Sequence, residues 1–160
     1  MYFKKNFNIG NIFVGEQNKC LIIAEISANH NNNFNTIKKL INSAKKHGAD
    51  IIKIQTYTAD TVEFLEKINC PAYKIASPEI NHIPLIERVA RTKKPIILSL
   101  GLATKKDIDL ALKTIKKMGN NKVILLQCVS SYPAPIYEQN IKSINEIKKK
   151  YKTICGLSDH

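Results

Sequence analysis

Long apolar runs are missing from this 160-residue chain. Its longest stretches, such as Leu21-Ile22-Ile23-Ala24 and Val123-Ile124-Leu125-Leu126, fall far short of the roughly 20 residues a spanning helix needs, so no segment is expected to cross a membrane. The start, Met1-Tyr2-Phe3-Lys4-Lys5-Asn6-Phe7, lacks the apolar stretch and cleavage site of a secretory signal, which points to the cytoplasm. No C-x-x-C pair links Cys20, Cys70, Cys128 and Cys155, so they read as free thiols, with burial in the structure as the default expectation. H-x-x-H, H-E-x-x-H, G-x-G-x-x-G and P-loop spacings are also absent, which argues against zinc-protease and nucleotide-fold readings. Acidic residues are few, 13 against 25 basic ones, and only Arg88 and Arg91 are arginines. The resulting charge of +12 would favour any anionic partner without choosing one. Because the lysine pairs fall on predicted helices or at their ends, they read as solvated faces. No basic stretch is interleaved with aromatics, so nucleic acid is not an expected partner.

What is present is globular: 44% hydrophobic and 24% charged residues in a length that suits one domain. Short β-branched runs alternate with helical patterns, the signature of consecutive β-α units around a parallel sheet. Strands are predicted at Leu21 to Ser27, Ile51 to Tyr57, Tyr73 to Ser77, Pro95 to Leu100, Val123 to Val129 and from Thr153 onward. Helices are predicted at Phe34 to His47, Val62 to Ile68, Leu85 to Ala90, Lys105 to Met118 with Thr104 as N-cap, and Ile141 to Tyr151. Residues 1–20 read as an N-terminal extension forming a hairpin-like lid, and 21–160 as the main domain. About six parallel strands could make a doubly wound open sheet or part of a barrel. A partial (β/α) TIM barrel is favoured because polar residues end nearly every strand, and in a barrel those ends converge on one mouth.

Lys53 and Gln55 point to one face of the second strand, opposite Ile52 and Ile54. A lysine among isoleucines either snorkels to the rim or has anionic company. Lys74 repeats the pattern in the next strand. Together with Ser77 and Ser99 the two lysines make a plausible cradle for phosphate and carboxylate groups, since lysine supplies compact charge and hydroxyls donate directed hydrogen bonds. Glu25 sits in an apolar strand, as an acid/base or ligand candidate or as a paired structural carboxylate. His30 follows in a polar turn. His160, after the last strand and beside Asp159, could bind a divalent metal, though one histidine is not a metal site.

Five motifs carry a resemblance: Ala24-Glu25-Ile26-Ser27-Ala28-Asn29-His30-Asn31, Lys53-Ile54-Gln55-Thr56-Tyr57-Thr58-Ala59-Asp60-Thr61, Pro71-Ala72-Tyr73-Lys74-Ile75-Ala76-Ser77-Pro78-Glu79, Ser130-Ser131-Tyr132-Pro133-Ala134-Pro135 and Gly156-Leu157-Ser158-Asp159-His160. From Ile22 to His160 the chain resembles the nonulosonic (sialic) acid synthase family, most of all its pseudaminic acid synthase branch. The resemblance implies a transferase that condenses phosphoenolpyruvate with the aldehyde of an N-acylated amino sugar, using Mn2+ or Mg2+. It also implies that Lys53, Lys74, Ser77, Ser99 and Ser158 hold phosphoenolpyruvate. Gln55, Tyr132 and Ser130 would face the sugar, Glu25 would lie at the reacting centre, and His160 would ligate the metal.

Two departures shape the expectations. The counterparts of Thr61 and Val62, separated in the family by a strand with its helices, are fused here, and the family's second metal histidine, closing elements and C-terminal domain have no counterpart before the chain stops at His160. An incomplete barrel is expected to self-associate through unpaired edges and to be impaired in turnover. The alternative is a non-catalytic fragment that binds anions or a full-length synthase. Leu100, where the family commonly has a small hydroxyl residue, is a minor change.

Overall fold

The computed structural model describes residues 2–27, 33–54 and 61–160. Its elements alternate as the periodicity predicts. A hairpin of β1 (Asn6–Ile9) and β2 (Ile12–Gly15) comes first. Then follow β3 (Ile23–Ser27), α1 (Phe34–Lys46), β4 (Ile51–Ile54), α2 (Thr61–Lys67), β5 (Tyr73–Ile75), α3 (Ile83–Arg91), β6 (Ile96–Ser99), α4 (Lys105–Lys117), β7 (Val123–Cys128), α5 (Ser143–Tyr151) and β8 (Ile154–Ser158). All pairings among β3 to β8 are parallel, in a sheet of β3-β4 and a second sheet ordered β5-β6-β7-β8. No closed barrel forms among the described residues. The chain divides into two compact units, residues 17–65 and residues 1–16 with 66–160.

Local chemistry sets the helix ends. Thr104 caps α4 through a reciprocal box in which its Oγ1 accepts from the Asp107 amide while the Asp107 carboxylate accepts from the Thr104 amide at 2.9 Å. That bonding to Thr104 holds the Asp107 carboxyl below its ordinary range. Helix α3 starts two residues earlier than its periodicity suggests, because the His82 ring accepts from the Leu85 amide and Pro84 is tolerated in a first turn. The third strand is shorter than predicted. It ends at Ile75, and Ser77–Glu79 form a 3-10 turn.

In the 66–160 unit the sheet has two distinct faces. Ile96, Leu98, Val123 and Leu125 are fully buried on the face that α3 and α4 cover with Ile86, Ala90, Ala111 and Ile115. On the other face the register aligns Lys74 with Ile97, Ile124 and Ile154, and Cys128 with Ser158. Gly156 belongs to this second face, where a β-carbon would lie 3.1 Å from the Leu126 side chain. The hairpin buries Phe7, Ile9 and Val14. It ties to this unit where Lys4 N donates to Asn121 O at 2.9 Å, just ahead of β7 and so at the N-terminal ends of the strands.

The cysteines are free thiols, but only Cys128 is buried. Cys70 and Cys155 are partly exposed, and Cys20, ahead of β3 instead of inside it, is exposed. No described helix is long and apolar enough to cross a membrane. The lysine pairs on α1, α4 and α5 face solvent, as the charge pattern suggests.

Candidate active site

Lys74 Nζ donates to Ser158 Oγ at 3.1 Å, although β5 and β8 are the two edges of the four-stranded sheet. Across a flat sheet three strand spacings would separate them by about 14 Å. Two side chains cannot span that distance, so the sheet curls and its second face is concave. Ser99, two residues beyond Ile97, belongs to that face. Its hydroxyl is buried and finds no hydrogen-bond partner among the described residues. A buried hydroxyl left unpaired carries a desolvation cost, and a ligand oxygen can relieve it. Ser77 is tied to the neighbouring loop, its Oγ accepting from the Leu102 amide at 2.5 Å.

Beyond the strand ends a second cluster forms around His160. Tyr132 stacks on its ring with centroids 4.3 Å apart, and the Tyr132 hydroxyl lies 3.3 Å from Nε2. Cys128 Sγ approaches the same nitrogen at 3.4 Å. The loop is pinned where Ala134 N donates to His160 O at 2.8 Å. Asp159 Oδ1 accepts from the His160 amide at 3.0 Å and from the Gln139 side chain, so Asp159 ties the His160 backbone to the loop that carries Gln139. Ser130 is exposed, and its hydroxyl sits where Gly101 passes: a β-carbon on Gly101 would lie 2.5 Å from Ser130 Oγ and 3.0 Å from the Cys128 carbonyl. Only glycine allows that approach.

In the 17–65 unit Glu25 and Lys53 are register partners on β3 and β4, with Lys53 Nζ 2.5 Å from Glu25 Oε1. Glu25 is therefore the anionic company that a lysine among isoleucines requires, and each charge answers the other's desolvation. Gln55 and His30 lie outside the described residues.

Sequence reasoning did not single out Cys128, Gly101 or Gln139. Cys128 could have been found from strand alternation, since it shares the parity of Ile124 and Leu126 and ends its strand as Ser99 and Ser158 end theirs. Gln139 is buried, and nothing in its sequence neighbourhood signals its contact with Asp159.

A curled parallel sheet flanked by helices, with a lysine and serines at the strand ends, is an α/β arrangement of the TIM-barrel-like kind. Residues 59–160 match the model of the NeuB family, and the chain belongs to that family. It is 32% identical to a pseudaminic acid synthase of Helicobacter pylori over 198 aligned positions, covering 87% of this chain and 58% of that protein. Among solved structures, an N-acetylneuraminic acid synthetase of Leptospira borgpetersenii in complex with citrate gives a TM-score of 0.92 at 27% identity, covering 99% of this chain and 71% of that one. The spore coat polysaccharide biosynthesis protein spsE of Bacillus subtilis gives 0.91 at 29% identity, over 97% and 57%. The chain thus spans about three fifths of the relatives it matches. The Helicobacter alignment is longer than this chain's 160 residues, so at least 38 of its positions have no counterpart here.

Proposed function

We propose that this chain serves the condensation of phosphoenolpyruvate with the open-chain aldehyde of an N-acylated amino sugar, forming a carbon–carbon bond and releasing phosphate. The observation that carries the reading is the concave face, where Lys74 meets Ser158 and the buried Ser99 hydroxyl has no partner among the described residues. A compact cation with hydroxyl donors suits a small dianion such as phosphoenolpyruvate. In this reading Ser77 adds a hydroxyl donor, while the family resemblance assigns Lys53 to phosphoenolpyruvate and Glu25, its charge partner in the 17–65 unit, to the reacting centre. Tyr132, Ser130 and Gln55 face the sugar. His160, with nitrogen, thiol and phenol donors gathered at one point, suits a divalent cation, which would supply Lewis-acid polarisation of the aldehyde oxygen. The architecture is a partial barrel of about six parallel strands over 21–160, preceded by the extension 1–20, working in the cytoplasm with self-association through its open edges.

The test is calorimetric titration with phosphoenolpyruvate. Lys74→Ala should weaken binding by roughly tenfold or more, the loss expected for a charged hydrogen bond. Unchanged affinity would overturn the cradle. Phosphate release with an N-acylated hexosamine and Mn2+ then reads turnover, which we expect to be impaired, since at least 38 positions of the Helicobacter alignment have no counterpart here. Binding without release would suit a non-catalytic, anion-binding form of the same site.

A further inference from the structure

We infer that Cys128 is a protein ligand of the metal at His160, so that this site selects a softer divalent ion such as Zn2+ or Co2+ over Mg2+. The inference rests on the synthase reading and adds a ligand to its centre. Cys128 Sγ and His160 Nε2 are 3.4 Å apart. Zinc bonds of about 2.3 Å to sulfur and 2.0 to 2.1 Å to nitrogen place two ligands of one tetrahedral ion roughly 3.5 Å from each other, so the pair is already spaced for a shared cation. The Tyr132 hydroxyl, 3.3 Å from the same nitrogen, supplies an oxygen donor at a third corner. Among the described residues no group of three or more His, Cys, Asp or Glu side chains could hold a metal, so Cys128 and His160 would form a pair whose remaining positions fall to oxygen donors.

Placement supports the assignment. Cys128 ends β7 on the concave face, in register with Ser158, one residue short of the Asp159-His160 turn. It is the buried member of the four cysteines, whereas Cys155, one strand over and of the opposite parity, points to the helix-covered face. Thiolate and imidazole together favour zinc, cobalt and iron, while magnesium asks for an all-oxygen shell. Binding would replace the thiol S–H bond with a sulfur–metal bond and pass the proton to solvent.

The experiment is titration of the full chain with Co2+ under a non-thiol reductant, read by the near-ultraviolet charge-transfer band of a sulfur–cobalt bond. Wild type and Cys155→Ser should show the band, Cys128→Ser should lose it, and His160→Ala should lose the band with the site. Zn2+ competition should show affinity falling about tenfold or more in Cys128→Ser. Co2+ binding without the band, or an unchanged Zn2+ affinity in Cys128→Ser, would overturn the inference. Should Cys128→Ser fail to fold, alkylation of the wild-type chain followed by mass spectrometry decides: Zn2+ should protect Cys128, and equal labelling with and without Zn2+ overturns the assignment. The two readings fail separately. A chain that shows the band yet binds no phosphoenolpyruvate removes the synthase reading and supports the metal pair. One that binds phosphoenolpyruvate and holds Co2+ without the band removes only Cys128.

Discussion

β4 and β6 are close in sequence, Ile-Ile-Lys-Ile against Ile-Ile-Leu-Ser, yet all four β6 side chains are buried while Ile51, Ile52 and Lys53 of β4 are only partly so. The same contrast separates their helices: α4 buries Ile108, Ala111, Leu112, Thr114 and Ile115, whereas none of the described side chains of α1 is fully buried. What differs is the neighbours. β6 lies between β5 and β7, while β4 pairs with β3 alone among the described residues. A strand of a parallel sheet is buried by flanking strands and covering helices together, so apolar composition by itself does not make a core. The resemblance leads one to expect the missing stretch between Thr61 and Val62, and the described sheets divide between β4 and β5, on either side of that point.

The largest effect should come from truncating a strand in each region. Leu125 is fully buried, and Leu125→Ala should cost about 2 to 5 kcal/mol in urea denaturation, from lost transfer energy and the cavity left behind. Ile52→Ala in β4 should cost about 1 kcal/mol or less, since the site is partly solvated already. Equal losses would break the comparison and mean that β4 has a partner that buries it. Hydrogen exchange sharpens the same point, with β4 amides expected to exchange well before those of β6 and β7.

Gly101→Ala comes next. Its β-carbon would press on Ser130 Oγ and on the Cys128 carbonyl, so either the loop or the end of β7 must move. Overpacking of this kind costs about 1 to 3 kcal/mol, and the displacement should also show as weaker Co2+ binding at His160. A variant with wild-type stability and metal affinity would show that the approach is slack.

The β-α order was legible because each element announces itself locally. Ile37, Leu40, Ile41 and Ala44 mark a helix face, Thr104 and Asp107 mark its neighbour's start, and β-branched runs mark the strands. Lys53, Lys74 and Ser99 drew notice for the same reason, as polar side chains interrupting apolar strands. Contacts between distant elements left no such trace. Nothing near Lys74 indicates that its ammonium reaches Ser158 across a curled sheet, and nothing near Lys53 names Glu25 as its partner, because both depend on strand order and register. Cys128 was hidden by its own chemistry, since a thiol at a strand end reads as core packing until its distance to a histidine is known.

The smallest effect is electrostatic and compares one carboxylate from each region. In the 66–160 unit Glu66 Oε1 accepts from Lys94 Nζ and Tyr73 OH, both at 2.5 Å. The Lys94 bond first, and the Tyr73 bond second, hold the Glu66 carboxyl below its ordinary value of 4.5. Burial, then the bond to Glu66, pushes the Tyr73 phenol above its usual range, so it remains a neutral donor at any pH of interest. In the 17–65 unit the Asp50 carboxylate accepts from the Ile22 amide at 3.0 Å and pairs with Lys19 at 2.9 Å, and these hold it below 3.8, the backbone bond first. A depressed carboxyl stabilises the folded chain above its unfolded pKa and loses that contribution as pH falls through the folded value, so the Glu66 clamp should weaken at pH below its ordinary 4.5 and the Asp50 clamp below its ordinary 3.8. Since the Glu66 side chain is 40% exposed, its share should stay below about 1 kcal/mol after solvent screening. Thermal melts over that range should show a shallower acid-induced loss in Glu66→Gln than in wild type. Asp50→Asn should change the melt less than Glu66→Gln does, because its clamp ties together a region with fewer buried side chains to lose. A larger acid shift from Asp50→Asn would reverse the ranking of the two regions and place the weaker packing on the four-stranded side.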